Sequence, residues 1–203
     1  MLYYIGRALF RAYFRVFFRF SVTGKENVPQ TGGVMLVANH VSYLDPPLLG
    51  SSVDRMVHFV AKAELFKIPL LSWALPRVGA FPVARGAADR KSIRHAIDLL
   101  KSGEVVGIFP EGTRSRTGEM LPPQRGAAMI AIRTGVPIVP VGLSGTFRPV
   151  RWKTWRPEFR RISVKIGEPL DLSGIDLESR EASAQISELM MAGIQRCLRE
   201  AEH

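Results

Sequence analysis

Residues 33–45 read GVMLVANHVSYLD, an apolar run that passes directly into polar residues. The apolar half predicts a buried strand, so His40 lies where that strand gives way to a loop. This is a usual position for a reactive side chain on a rigid scaffold. Asp45 is followed by Pro46, which biases the chain near the carboxylate away from helical geometry. A tight turn or a helix start there would let the carboxylate reach back to the imidazole and orient it as a base.

A second stretch, residues 105–115, has the same form and reads VVGIFPEGTRS. Its apolar part predicts another strand. The loop after that strand offers Gly112 for close backbone approach, hydroxyl groups, and Arg114 as a two-pronged phosphate ligand. A His and an Asp alone would most simply be a hydrogen-bonded histidine beside a helix-capping aspartate. The second stretch favours a functional site, because a base and an anion site at two strand ends suit acyl or phosphoryl chemistry on a phosphorylated substrate.

Strands and helices alternate along most of the chain, which predicts an α/β fold with a largely parallel central sheet flanked by helices. Parallel strands place their carboxyl ends at one edge of the sheet, where open α/β sheets bind ligands. The two loops are therefore expected to meet at that edge. Strands are predicted within residues 21–33 and at residues 33–38, 56–61, 78–84, 105–109, 136–141 and 161–167, and helices at residues 64–75, 90–101, 124–134 and 178–201.

The motif Asn-His-x-Ser-x-x-Asp followed by Phe-Pro-Glu-Gly-Thr-Arg-Ser resembles the glycerophosphate acyltransferase superfamily, in particular the bacterial lysophosphatidic acid acyltransferases. Two further blocks match the pattern of that family in order: GAFPVAR at residues 79–85 and VPIVPV at residues 136–141. The resemblance runs from about residue 24 to residue 169. It implies transfer of a fatty acyl group from acyl-CoA or acyl carrier protein to the free hydroxyl of lysophosphatidic acid, which gives phosphatidic acid.

The resemblance also implies roles for individual residues. His40 would take the proton of the acceptor hydroxyl, and Asp45 would orient and charge the imidazole. No metal or cofactor is expected, because the acyl donor is itself a substrate. Where relatives often carry Phe-Lys, this chain has Pro123-Gln124, so one lysine contact is missing. The residues expected to hold the acceptor phosphate, or to orient the groups around it as Glu111 would, are Lys62, Arg85, Glu111, Gly112, Thr113 and Arg114.

Residues 1–22 predict an amphipathic helix at a membrane interface, with the acyltransferase domain in residues 23–203. Aromatic residues are frequent, no acidic residue precedes Glu26, and no secretory signal is recognised. Basic residues interrupt any apolar run long enough to span a bilayer. An aromatic, cationic helix suits the headgroup region of an anionic membrane. Packing on its own domain is the alternative, and both can hold at once. The arginines recur at every fourth position: Arg7, Arg11, Arg15 and Arg19.

The formal charge of +10 implies an acidic partner, such as nucleic acid, an anionic lipid surface or an acidic carrier. Residues 144–161 concentrate basic and aromatic side chains, a composition that fits single-stranded nucleic acid, a membrane interface or the phosphates of a carrier. The single cysteine, Cys197, excludes an internal disulfide and a cysteine-based zinc site, and it fits a reducing cytoplasm.

The expected partners are an anionic phospholipid membrane, a lysophospholipid acceptor, and acyl-CoA or acyl carrier protein, with no nucleic acid. The expected location is the cytoplasmic face of the cell membrane, as a peripheral or monotopic protein. Two other interpretations stay open. One is an acyltransferase for another lyso-lipid, such as lyso-ornithine lipid or another lysophospholipid. The other is a non-catalytic basic module that binds membrane or nucleic acid, which explains the charge but not the four ordered motifs.

Overall fold

Seven strands form one sheet among residues 2–83, 90–147 and 161–202, the parts of the chain that this computed structural model describes. They are β1 Arg19–Thr23, β2 Val34–Ala38, β3 Val57–Lys62, β4 Ala80–Val83, β5 Val105–Ile108, β6 Ile138–Ser144 and β7 Arg161–Ile166. Their order across the sheet is β1-β7-β6-β2-β5-β3-β4. Neighbouring strands are parallel except β6 and β7. The predicted α/β fold with a largely parallel sheet is therefore confirmed.

Helices cover both faces of this sheet. They are α1 Leu2–Phe17, α2 Asp45–Ser52, α3 Pro69–Arg77, α4 Arg90–Lys101, α5 Arg125–Thr134 and α6 Ala182–Glu202. Leu36 and Ala38 of β2 face a core shared with α1 and α2, whereas Met35 and Val37 face a core shared with α4, α5 and α6. Because both faces are covered, β2 is apolar and buried along its whole length.

α1 packs against α2 through Tyr3 and Phe14, both of which are buried. It also donates hydrogen bonds to carbonyl groups at the C-terminal end of α2, which a helix leaves without partners of its own. α1 therefore caps α2 with its own side chains. The bonds run from Tyr3 Oη to Gly50 O (3.3 Å), from Arg11 Nε to Ser51 O (2.6 Å), and from Arg7 to Val53 O (3.3 Å) just beyond the helix.

The N-terminal helix is shorter than predicted, because α1 ends at Phe17. The residues that follow enter the sheet, where β1 runs parallel to β7 with Arg19 opposite Arg161. Phe18 is buried in the core beside α1, which holds the chain at the point where the helix stops. The short strand expected after residue 21 thus begins at Arg19. Within the described ranges, no helix combines the length and apolar character needed to cross a bilayer.

The single helix predicted at residues 64–75 is wrong. A 3-10 helix covers Ala63–Lys67, and α3 begins only at Pro69. Ile68 between them is extended, with φ −84° and ψ 121°, as expected for a residue that precedes proline. Pro69 occupies the first turn of α3, where the N–H that it lacks would have no partner in any case. The proline therefore starts a helix instead of kinking one.

Two features of the sequence lie outside the described residues. Arg85 falls in residues 84–89, and most of the basic and aromatic stretch falls in residues 148–160.

Candidate active site

The two loops meet because their strands are neighbours. β2 and β5 are parallel, with Val34 opposite Val105 and Val37 opposite Ile108. Both strands therefore end at the same edge of the sheet, one hydrogen-bonding distance apart. The loop after β2 carries His40, and the loop after β5 carries Glu111. The expectation that the carboxyl ends of these strands form one site agrees with this geometry.

His40 and Asp45 form a hydrogen-bonded pair. His40 Nδ1 lies 2.9 Å from Asp45 Oδ2, and Asp45 is completely buried as the first residue of α2. The same Oδ2 atom accepts the backbone N–H groups of Val41 at 2.7 Å and Ser42 at 2.6 Å. An oxygen that accepts two N–H groups acts as an acceptor toward the imidazole as well, so Nδ1 carries the hydrogen. Nε2, which has no hydrogen-bond partner in the described part of the chain, is then the basic nitrogen.

At the start of α2, Asp45 makes its hydrogen bonds through one carboxylate oxygen. Pro46 and Pro47 follow Asp45 and have no N–H group to offer the carboxylate. Asp45 Oδ1 is buried without a hydrogen-bond partner among the described residues. The interactions of this carboxylate are thus made through Oδ2, the oxygen that holds His40.

Phe109 fixes the plane of the imidazole. Its ring is stacked on that of His40, with the centroids 4.2 Å apart and the planes inclined by 21°. Phe109 directly follows β5, so the second loop orients the histidine of the first. The His40 side chain remains 16% exposed. It is therefore held in place and still open to a substrate.

Glu111 joins the two loops through the backbone. Its Oε1 accepts the N–H of His40 at 2.8 Å, and its Oε2 accepts the N–H of Leu121 at 2.8 Å. The N–H of Ser115 in turn donates to the carbonyl of His40 at 2.8 Å. Glu111 is 2% exposed, and burial raises the pKa of its carboxyl despite the two N–H groups. Glu111 therefore holds the backbone of His40 and not the side chain of Arg114, beside which it was expected to act, and its buried oxygens do not line a substrate surface.

Arg114 lies over the ring of Tyr43. Its guanidinium carbon is 3.4 Å from the centroid of the ring. Among the described residues the guanidinium makes no hydrogen bond and no ion pair. Its N–H groups are therefore available to an anion. This contact adds a fourth connection between the loops, beside the stacking of Phe109 on His40 and the bonds of Glu111 and Ser115 to His40.

Gly112 and Thr113 are exposed at the tip of the second loop. Gly112 has a φ of 67°, a left-handed conformation that favours glycine. A Cβ atom there would also lie 2.9 Å from the side chain of Gln124, next to the start of α5. Gln124 N–H donates to Pro110 O at 2.7 Å, so the loop and α5 are joined directly.

Lys62 is the last residue of β3, which pairs with β5, and its side chain is exposed. It lies at the same edge of the sheet as the two loops. It makes no hydrogen bond or ion pair to His40, Asp45 or Arg114 within the described ranges. The structure thus brings together His40, Asp45, Glu111 and Arg114.

Sequence reasoning gave no role to Asn39 and Tyr43, although both stand in the first motif. Asn39 is buried and exchanges two hydrogen bonds with the backbone of Leu143 in β6, at 3.0 Å and 2.8 Å. It fixes the first residue after β2 to the neighbouring strand. The sequence did contain a signal for this role: Asn39 directly follows an apolar strand. An amide buried there must find hydrogen-bond partners, which indicates a structural contact.

Comparisons with known proteins identify the family of the chain. The family model described as Acyltransferase matches residues 19–144. A 1-acyl-sn-glycerol-3-phosphate acyltransferase of Bacillus subtilis (strain 168) is 36% identical over 173 residues, which cover 83% of each chain. The chloroplastic 1-acyl-sn-glycerol-3-phosphate acyltransferase BAT2 of Brassica napus is 34% identical over 86% of this chain, which spans only 52% of the plant protein.

The fold also matches a solved structure. The crystal structure of the 1-acyl-sn-glycerophosphate (LPA) acyltransferase PlsC from Thermotoga maritima superposes with a TM-score of 0.78 at 32% identity. The similarity covers 97% of this chain and 78% of the Thermotoga chain.

Proposed function

The chain belongs to the acyltransferase family, and on that basis we propose that it acylates lysophosphatidic acid to phosphatidic acid. The acyl group comes from a thioester donor, either acyl-CoA or acyl carrier protein. The observation that carries this proposal is the open Nε2 of the His40 ring, which Asp45 holds, together with the guanidinium of Arg114 on the adjoining loop, which makes no hydrogen bond or ion pair among the described residues. A base and a phosphate ligand at one edge suit an acceptor that carries both a hydroxyl and a phosphate.

The reaction needs one base and no covalent enzyme intermediate. The acceptor hydroxyl oxygen attacks the thioester carbonyl carbon, while His40 Nε2 takes the hydroxyl proton. The new C–O bond forms as the C–S bond breaks, and the departing thiolate receives the proton from the imidazolium. Asp45 stabilises the imidazolium between these steps, because its carboxylate stays bonded to Nδ1. The only cysteine, Cys197, is buried and contacts Pro140 O, away from these loops.

The acceptor phosphate is bound by Arg114 in this proposal. A guanidinium offers two parallel N–H donors to two phosphate oxygens, a geometry that an ammonium lacks. Lys62 adds positive charge at the same edge of the sheet. Arg85, assigned to phosphate binding by resemblance alone, completes the set. No cofactor or metal takes part.

The acceptor and product are lipids, so the protein works at a membrane surface in this proposal, on the cytoplasmic face as a peripheral or monotopic protein. The face of α1 that turns away from the domain supports it, because large apolar side chains there lie in water. Arg7 and Arg11 are engaged with α2, which leaves the apolar side chains and Arg15 for the headgroup region. The exposed apolar residues of α1 are Tyr4, Ile5, Leu9, Phe10, Tyr13, Val16 and Phe17.

A transfer assay tests the proposal. The purified full chain is mixed with lysophosphatidic acid and either acyl-CoA or an acylated carrier protein, with and without a metal chelator, and phosphatidic acid is measured by mass spectrometry. We expect product with at least one donor and no effect of the chelator. His40→Ala, prepared identically, controls for a contaminating enzyme.

Two outcomes would change the assignment. Transfer to lyso-ornithine lipid or another lysophospholipid, with none to lysophosphatidic acid, would keep the chemistry and replace the acceptor. Salt-sensitive binding of single-stranded nucleic acid without transfer to any lyso-lipid would favour a non-catalytic basic module.

A further inference from the structure

Tyr43 is an exposed aromatic residue in the turn between His40 and Asp45. The residue is 74% exposed, the same value as Leu70 and the highest among the exposed large hydrophobic residues of the described chain. Burial therefore does not explain an aromatic side chain at this position. Among the described residues its ring contact is with Arg114, whose guanidinium carbon lies 3.4 Å from the centroid. Arg114 is itself half-buried, which indicates that the ring covers it.

The backbone fixes where this ring stands. On one side of Tyr43, the N–H of Ser42 donates to Asp45 Oδ2. On the other side, the N–H of Leu44 donates to Ser42 Oγ at 3.2 Å. The N–H of Asp45 donates to Ser42 O at 3.3 Å and closes the turn. The hydrogen bonds that position the Asp45 carboxylate therefore also fix the backbone from which the Tyr43 ring projects.

Stacking controls how Arg114 can be approached. A ring under the planar guanidinium blocks one of its faces and leaves the N–H edges free. Those edges carry the donors that bind a phosphate in two-pronged geometry. An arginine without the ring would sample many rotamers, and ordering it would cost side-chain entropy when the substrate binds.

We propose that Tyr43 is a positioning residue that holds Arg114 edge-on to the acceptor phosphate and so sets the preference for phosphorylated acceptors. This inference rests on the proposed function. The working part is the face of the ring, because the Tyr43 hydroxyl has no hydrogen-bond partner among the described residues. Phenylalanine at position 43 should therefore keep the function of the tyrosine. Leucine, which has similar apolar character but no π face, should not.

The experiment compares the wild type with Tyr43→Phe, Tyr43→Leu, Arg114→Gln and the double variant Tyr43→Leu/Arg114→Gln. Each is assayed with lysophosphatidic acid and with a monoacylglycerol that has the same chain and no phosphate. We expect Tyr43→Leu to raise the KM for lysophosphatidic acid by about 2- to 5-fold, the range of a cation–π contact at an exposed site. We expect its kcat and its KM for the donor to change less than that, and Tyr43→Phe to restore the KM.

The double variant tests the route of the effect. If Tyr43 acts through Arg114, Tyr43→Leu does not raise the KM for lysophosphatidic acid further once Arg114→Gln is present. The preference for lysophosphatidic acid over monoacylglycerol is then equally low in Arg114→Gln and in the double variant. Equal KM values for Tyr43→Phe and Tyr43→Leu, or additive losses in the double variant, would overturn the inference while the wild type still acylates lysophosphatidic acid. A wild type that does not acylate lysophosphatidic acid would overturn the proposed function first. Thermal unfolding of each variant separates these results from loss of folded protein.

Discussion

The backbone N–H of His40 donates to Glu111 Oε1 at 2.8 Å, although 71 residues separate the two along the chain. Glu111 Oε2 holds the N–H of Leu121 at the same time. The position of the base is therefore set by a carboxylate from the loop that carries Arg114. A substitution at Glu111 should therefore change the position of the His40 backbone and, with it, of the imidazole.

Glu111→Gln should lower both turnover and stability. A glutamine offers one acceptor oxygen where the carboxylate offers two, so the N–H of either His40 or Leu121 then faces an amide NH₂ group. Leaving a buried N–H without a partner costs about 1–3 kcal/mol. We expect kcat to fall by about tenfold or more, because His40 shifts. Glu119→Gln, an exposed residue of the same loop, is the control. Unchanged turnover in Glu111→Gln would contradict the orienting role.

The stability difference between the wild type and Glu111→Gln should depend on pH. Burial raises the pKa of Glu111 above its ordinary value of about 4.5. A raised folded-state pKa gives stability that is fully present below the unfolded-state pKa and is lost as pH rises through the folded-state pKa. Glutamine does not titrate. The excess free energy of unfolding of the wild type should therefore shrink as pH rises above the ordinary pKa of about 4.5 and through the raised pKa of Glu111, as measured by urea denaturation. An excess that grows with pH would mean that the ionised form is the stabilised one.

His40→Ala should lose turnover by roughly a hundredfold or more, because no other group replaces the base. Asp45→Asn should be nearly as damaging, since an amide cannot stabilise the imidazolium as a carboxylate does. His95→Ala serves as the matched control, because His95 is exposed and contacts Phe81 away from the site. A folded His40→Ala protein with near-native turnover would make His40 structural.

Arg114→Lys should weaken use of the acceptor. Lysine keeps the charge over the Tyr43 ring but lacks the planar fork that binds two phosphate oxygens. We expect the KM for lysophosphatidic acid to rise and the KM for the acyl donor to stay the same in steady-state assays. If the donor KM alone rises, Arg114 belongs to the donor site.

The apolar face of α1 should be required for binding to vesicles. Leu9 and Val16 are 66% and 67% exposed, so Leu9→Gln/Val16→Gln should leave the fold intact. Sedimentation with anionic phospholipid vesicles should fall, because less apolar area enters the headgroup region. Leu177→Gln, at a 39% exposed residue outside α1, is the control. Full sedimentation of the double variant would remove α1 as the anchor.

The sequence predicted the parts of the site that depend on local pattern. The apolar runs before His40 and Glu111 located β2 and β5, and Pro46 suggested a turn or helix start that would bring the Asp45 carboxylate back to His40. The bond between His40 and Glu111 and the stacking of Tyr43 on Arg114 depend on the register of β2 against β5, which no local pattern encodes. From the sequence alone, Pro69 could either kink a longer helix or begin a new one. The extended backbone of Ile68 shows that it begins α3.

The same distinction applies to the N-terminus. Arginine at every fourth residue predicted one continuous helical stripe through Arg19. Packing of Phe18 in the core and pairing of β1 with β7 ended the helix at Phe17 instead. Arg7 and Arg11 were expected to face lipid, and they face carbonyl groups at the end of α2. Such partners are set by tertiary contacts, which override the local periodicity.

The capping of α2 by α1 limits the distance between His40 and the surface on which α1 lies. α2 has eight residues and is about 12 Å long, with Asp45 at one end and the carbonyl groups held by α1 at the other. With α1 lying on a bilayer as proposed, a short helix and not a flexible linker joins the membrane surface to the end of α2 that carries Asp45, so the length of α2 limits how far His40 stands from the lipid. The base can then meet a hydroxyl at the level of the headgroups, and the acceptor lipid keeps its acyl chain in the bilayer while it reacts.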